Sequence, residues 1–226
     1  EPTEKESSEF EVNHSAAQIF DGEALQNSWV NAGGKLEFKL ADGVLTIDGP
    51  ENNGWVQHDN GETPWEIGTA DGESWTAEIS VRLAADDGNG IVIWGANGSE
   101  RGILQVNTNE TKMFNAEVID ENDNTSAFNI FRIAYDWDDD YYYVWRNGAL
   151  LTDGAAAQAT TTHSRFIVGD CCSNIPMTTV ELEYIRYDTT GAFSPPPVAA
   201  TVTKNPEDAT VKVGDSVTFM AAFDGP

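Results

Sequence analysis

The chain has 226 residues, 40% of them hydrophobic, which is enough for a real core in one large all-β domain or in one domain plus a fragment. Its 38 acidic residues against 12 basic ones give a formal net charge of -26, a field that repels phosphate backbones and anionic headgroups and so excludes nucleic acid as a partner. No run approaches the ~20 apolar residues of a membrane span, so membrane insertion is not expected, and the opening EPTEKESSEFEVN lacks the basic and apolar regions of a secretion signal.

Residues 1–15 are polar and charged without a period, and are expected to be a leader or linker, with structure beginning near AAQIF. From there short segments of two-residue alternation follow one another: KLEFKL, GVLTID, GWVQHD, SWTAEISVRL, GIVIWG, GILQVN, KMFNAEVI, FNIFRIAYD, YYYVWRNG, SRFIVGD and TVELEYIRYD. Strand-length runs rich in Val, Ile, Thr, Trp and Tyr, parted by Gly, Asn and Asp, predict an antiparallel sandwich. No stretch has the period of an amphipathic helix. DDGNG (86–90) and DWDDD (136–140) lie between alternating runs and predict hairpin loops. Some eleven strands exceed a minimal immunoglobulin domain and suit a larger jelly roll. The three prolines at 195–197 force a stiff, extended spacer, so a linker is expected over 195–200 and a second unit over 201–226.

Three stretches carry a family resemblance. FDGEALQNSWVNAGGKLEFKLADGVLTI is similar to the start of concanavalin-A-like jelly rolls, including the laminin-G-like group and the 3-keto-disaccharide hydrolase type domains. FRIAYDWDDDYYYVWRNGALL resembles their paired strands ending in an Asn-Gly turn, and RFIVGDCCSNIPMTTVELEYIRYDTTGAFSP their closing segment. Together they cover residues 16–194. NPEDATVKVGDSVTF resembles the opening strands of an immunoglobulin-like domain without the usual cysteine of the second strand; the natural polypeptide is expected to be longer, with further domains. The resemblance implies an all-β, two-sheet antiparallel jelly-roll sandwich, extracellular or on the cell surface, of a kind commonly used to bind glycans. It leaves function open, because the same fold hosts lectins, lyases, hydrolases and spacers.

Candidate chemistry is sparse. Glu181 and Glu183 of VELEYIR share a strand face, as the acid pair of jelly-roll glycosidases does, but Arg186 stands where those enzymes keep a third acid; a solvated face, or pairing with Arg186, is the expectation. His14, His58 and His163 stand alone in sequence, and Cys171 with Cys172 cannot both reach one zinc in good geometry. The resemblance implies a calcium near the junction of first and last strands, with Asp21 and Asp188 as its candidate ligands. Of seven tryptophans, Trp29, Trp75 and Trp137 suit core or strand-end packing. Trp55 in NNGWVQHD and Trp94 in IVIWGANGSER, with His58 and Arg101 near by, are the candidates for stacking on a sugar ring, whose hydroxyls want such polar neighbours.

The only cysteines, Cys171 and Cys172, are adjacent. Neighbouring Cα atoms lie about 3.8 Å apart, below the usual span of a disulfide. In an oxidising compartment they pair with each other in a strained small ring, or with another molecule; otherwise they are free thiols in a turn. A vicinal disulfide would form a flat sulfur patch beside Asp170 and Asn174, suited to supporting a sugar. The expected function is a non-catalytic carbohydrate-binding module of a larger secreted or cell-surface protein, contacting a polysaccharide through Trp55, His58, Trp94, Arg101, Asp170, Cys171, Cys172 and Asn174. The alternatives are an adhesion or spacer domain that contacts protein, or a glycan-active hydrolase.

Overall fold

The computed structural model describes residues 2–51, 53–58, 65, 74–85, 88–97, 100–113, 116–156, 159–160, 164–170, 175–197, 201–204, 218, 220 and 222–224. The elements in chain order begin with β1 (Thr3–Glu4), a 3-10 turn (Ser7–Glu9), β2 (Val12–Ser15), α1 (Ala16–Ile19), β3 (Trp29–Ala32), β4 (Glu37–Ala41), β5 (Val44–Gly49) and β6 (Trp55–His58). The long central strands follow: β7 (Trp75–Leu83), β8 (Ile91–Asn97), β9 (Glu100–Val106), β10 (Thr111–Met113), β11 (Val118–Asp120), β12 (Asn129–Asp136), β13 (Tyr141–Arg146) and β14 (Ala149–Ala156). The chain closes with β15 (Ala159–Thr160), β16 (Ser164–Gly169), β17 (Met177–Asp188), β18 (Phe193–Ser194), β19 (Thr201–Lys204) and β20 (Ala222–Asp224).

Two sheets face each other. One runs β14-β13-β12-β7-β17-β5-β4 with β2 added against β17; the other runs β11-β10-β9-β8-β16-β6-β3 with β15 against β9. This is the two-sheet antiparallel jelly-roll sandwich that the strand pattern and the concanavalin-A-like resemblance lead one to expect. The alternation of each strand puts one set of side chains between the sheets. Leu45, Ile47, Ile79, Val81, Ile93, Leu104, Ile133, Val144, Phe166, Leu182 and Ile185 fill that space, with Trp29, Trp65, Trp75, Tyr142 and Tyr187 among them. Two hairpins follow their sequence signals. Asp42-Gly43 joins β4 to β5 and Asn147-Gly148 joins β13 to β14, with φ of 51, 78, 50 and 84°, the left-handed pair that a two-residue turn requires.

Four expectations need correction. The polar leader is part of the sandwich: Val12–Ser15 pairs antiparallel with Tyr184–Tyr187, and Phe10 is 4% exposed. Its side chains are polar because the sheet face beneath them is polar: Lys5 meets Asp188, Ser7 and Asn13 meet Arg186, and Glu11 receives the Thr189 N–H and hydroxyl. KMFNAEVI is two short strands, β10 and β11, paired with each other. DDGNG carries no hairpin, because β7 and β8 belong to opposite sheets. Its Gly88 and Gly90 cross so close to other backbone that a Cβ would stand 2.5 Å from Thr178 and 2.1 Å from the Val106 carbonyl. Lastly, β3 and β14 form outside the alternating runs, and α1 adds one helical turn capped at Ser15, whose N–H donates to Gln18 Oε1 at 3.0 Å.

Most of the proposed immunoglobulin-like stretch lies outside the described residues. Within them, β19 pairs only with β20.

Candidate functional site

The outward face of the second sheet brings together three of the sequence-derived candidates, Trp55, Trp94 and Arg101. β8 lies between β9 and β16, and β16 continues to β6. IVIWGAN is apolar throughout, so its period alone does not say which residues face out. The register does: Ile91 and Ile93 join the core, and Gly95 sits under Trp75, whose ring would stand 2.4 Å from any Cβ there. Val92, Trp94 and Ala96 therefore face outward.

Three rows of side chains cross this face. Trp94 is flanked by Ile103 on β9 and Ile167 on β16, with Gln57 opposite Ile167. Ala96 is flanked by Arg101 and Arg165. Val92 is flanked by Gln105 and Gly169, and Gly169 by Trp55. Gly169 has φ +148°, and a Cβ there would stand 2.6 Å from the Trp55 Cα, so only glycine lets β6 approach this closely. Val92, Trp94, Ala96, Ile103 and Ile167 form a second apolar cluster, separate from the inter-sheet core, with Trp55 packed on it.

Across Ala96, which is fully buried, both neighbouring arginines lean onto the Trp94 ring. Their guanidinium carbons stand 5.2 Å (Arg101) and 4.5 Å (Arg165) from the ring centroid, which is cation–π range. Trp94 is only 2% exposed, which corrects its expected role as a sugar plate: it is the platform under two guanidiniums. Trp55 stays partly exposed. Among the described residues, four shielded donors here have no hydrogen-bond partner: the indole Nε1 of Trp55 and of Trp94, and the Nε of Arg101 and of Arg165. An orphaned buried donor costs about 1–3 kcal/mol.

The remaining candidates are distributed elsewhere. Asp170, fully buried, is a loop clamp at the edge of this face. Its Oδ2 accepts the Asn53 N–H at 3.0 Å, its Oδ1 accepts from Asn89 Nδ2 at 3.2 Å, and its own N–H donates to the Gly54 carbonyl at 2.8 Å. His58 belongs to the core, which corrects its reading as a ligand contact. Its Nδ1 lies 2.6 Å from the Tyr187 hydroxyl, its Nε2 2.7 Å from the Asn27 carbonyl, and its ring stacks on Trp29. Cys171, Cys172 and Asn174 lie outside the described residues, as does His163.

The two proposed calcium ligands are engaged with protein groups and lie apart. Asp188 holds the Lys5 ammonium at 2.5 Å, and Asp21 accepts the Glu23 and Ala24 N–H groups of its own turn. In the antiparallel pairing Val12 stands opposite Tyr187 and Ser15 opposite Tyr184, so the chain leading to Asp21 runs away from Asp188. Among the described residues no group of three or more His, Cys, Asp and Glu is placed to hold a metal ion.

The outward face of the first sheet is ionic, and Glu78, Arg132 and Tyr184 on it were not singled out from sequence. The Glu78 carboxylate accepts from Arg132 Nε at 2.8 Å and from the Tyr184 hydroxyl at 3.0 Å, with Arg186 at 3.8 Å. Burial, with Glu78 adding to it, pushes the Tyr184 phenol far above its ordinary value. Residues 5–13 cover this cluster: the Lys5 carbonyl accepts from Arg132, and the Phe10 ring lies 4.8 Å from its guanidinium carbon. The glutamates of VELEYIR do not act as a pair. A bulge displaces Glu183, which accepts from the Ser80 hydroxyl at 2.6 Å, and Glu181 is bound by Arg82. Arg186 turns instead to Asn13 and Ser7.

No family model matches the chain, and no curated protein matches it by sequence. Several solved structures are similar to it in part. Lectin I-B4 from Griffonia simplicifolia, in its metal-free form, aligns at 12% identity over 79% of this chain and 99% of the lectin, with a TM-score of 0.48. The Bacillus licheniformis beta-glucanase aligns at 12% identity over 74% of this chain and 95% of the enzyme, with a TM-score of 0.47. A sialidase aligns at 10% identity over 72% of this chain with a TM-score of 0.48; the chain spans only 17% of that protein. These are likenesses of fold at low identity, and no residue role is carried over from them.

Proposed function

We propose that this chain is a non-catalytic carbohydrate-binding module of a larger secreted or cell-surface protein, and that it holds a saccharide against the outward face of the second sheet. The observation that carries this reading is the cluster of four unpartnered donors from Trp55, Trp94, Arg101 and Arg165 around one apolar patch. A sugar ring offers a C–H face for the part-exposed Trp55 indole and hydroxyl oxygens for the outer guanidinium N–H groups of Arg101 and Arg165, whose shielded Nε atoms lie behind them. The segment 171–174 follows directly on the Asp170 clamp, so in this reading a vicinal disulfide there extends the contact surface at the edge of the face.

A glycan array probed with the full chain, with Trp55→Ala and with the chain under mild reductant tests this. The expected result is a saccharide signal that Trp55→Ala lowers about tenfold or more, equivalent to roughly 1.4 kcal/mol, and that reductant weakens. Changing both cysteines to serine should leave the fold intact, since bridging neighbouring residues closes almost no loop. Absence of binding to any glycan, neutral or acidic, would overturn the reading in favour of an adhesion or spacer domain.

A further inference from the structure

The charge pairing of the molecule points to the kind of sugar. There are six arginines in a chain with 38 acidic residues. Four of the six reach a carboxylate: Arg82 meets Glu181, Arg132 and Arg186 meet Glu78, and Arg146 meets Asp120. The side chains of the other two, Arg101 and Arg165, make no ion pair or hydrogen bond among the described residues, and these two flank the same alanine. Their strands are separated only by β8, so their backbones lie two strand spacings apart, about 10 Å. Both guanidiniums then converge on one indole.

Two like charges brought together on an apolar surface repel each other and are costly to desolvate. The acidic composition offers many partners that would relieve this, yet the described part of the sheet supplies none. A planar guanidinium held on an aromatic ring still presents its outer N–H edge, the geometry that grips a carboxylate or sulfate oxygen. Meanwhile the buried Nε1 of Trp94 and both Nε atoms remain unpartnered.

Resting on the reading of this face as a saccharide site, we infer that Arg101 and Arg165 together recognise an anionic substituent on the bound sugar, a carboxylate or a sulfate ester. Trp94 is the positioning residue that holds both guanidiniums, and Trp55 takes the adjoining sugar ring.

The test is an array of matched glycans that differ in one group: a uronate with its methyl ester, and a sulfated sugar with its desulfated form. Each is probed with the full chain, with Arg101→Gln, with Arg165→Gln and with the double variant; thermal melting checks that the variants fold. The expected result is binding of an acidic member at least tenfold above its neutral match, with that preference lost in the double variant. Whether the uronate or the sulfated member of its pair binds identifies the oxyanion. Equal binding of neutral and acidic members, or a preference that survives in the folded double variant, would overturn this inference and leave the saccharide reading standing. Failure of every glycan to bind would overturn both. Should the glutamine variants fail to fold, methyl esterification and desulfation of the ligand, probed with the unaltered chain, still decide whether the anionic group is recognised.

Discussion

Replacing Glu78 with leucine isolates what the ionic face of the first sheet contributes. The side chains of Glu78 and Arg132 are 4% and 2% exposed, and the guanidinium reaches the carboxylate through Nε at 2.8 Å and its terminal nitrogen at 2.7 Å. Removing the acid leaves a desolvated cation with, among the described residues, the Lys5 carbonyl and the Phe10 ring against it. A broken buried pair of this kind costs about 3–5 kcal/mol. At about 2–4 °C per kcal/mol for a domain of this size, the melting temperature should fall by roughly 6–20 °C. The double replacement Glu78→Leu with Arg132→Met removes both charges and should recover most of the loss, because an apolar pair of similar volume is often as stable as a buried ion pair. Urea unfolding of wild type, both single variants and the double, followed by tryptophan fluorescence, supplies the cycle. A single substitution costing under about 1 kcal/mol, the range of exposed pairs, would refute the argument that residues 5–13 seal these charges from water.

Gly102→Ala should destabilise by about 1–3 kcal/mol or more through overpacking, since its Cβ would stand 2.2 Å from the Tyr142 ring across the core; calorimetric melting checks it. Burial pushes the Asp188 carboxyl up, but Lys5 and Thr190 outweigh that and hold it below its ordinary 3.8. The stability it contributes is therefore complete above that value and is lost as pH falls through the lower folded one; in urea unfolding, Lys5→Met should flatten the wild-type decline below about pH 4. An acidic oligosaccharide should bind more weakly at 0.01 M salt than at 0.15 M, because the field of the -26 net charge reaches about 30 Å in the first case and 8 Å in the second. Titration calorimetry at the two ionic strengths reads this; a steep loss with added salt, as for a basic polyanion binder, would contradict it.

The strands were legible wherever apolar and polar side chains alternate, whether the polar face is wet or covered by protein. TVELEYIRYD and SWTAEISVRL declare their alternation, and both lie in the first sheet, as β17 and β7. Legibility failed where pairing is non-local. The leader's polarity resembles disorder because the surface it covers is itself charged, and no local signal reports a partner such as Arg132, 127 residues from Lys5. DDGNG shows the complementary failure: glycines that suit a turn equally suit a crossing between sheets, and only the 2.1 Å approach at Gly90 distinguishes them.

The candidate site was half legible for a related reason. Sequence showed that Trp55, Trp94 and Arg101 have polar surroundings, but polar surroundings do not separate an exposed aromatic from one roofed by cations. In IVIWGAN the decisive residue is Ala96, whose small side chain admits Arg101 from one neighbouring strand and Arg165 from the other. Arg165 lies 64 residues beyond Arg101 and reaches this face only through the β8–β16 pairing. Enlarging the fully buried Ala96 to leucine would push the two guanidiniums apart without removing a charge. If the pair acts as one receptor for an oxyanion, that change should abolish the preference for acidic sugars as thoroughly as the double arginine variant does. If each arginine acts alone, it should not. The same sheet can thus be mutated at a residue that touches no ligand atom, and the response distinguishes a shared site from two independent charges.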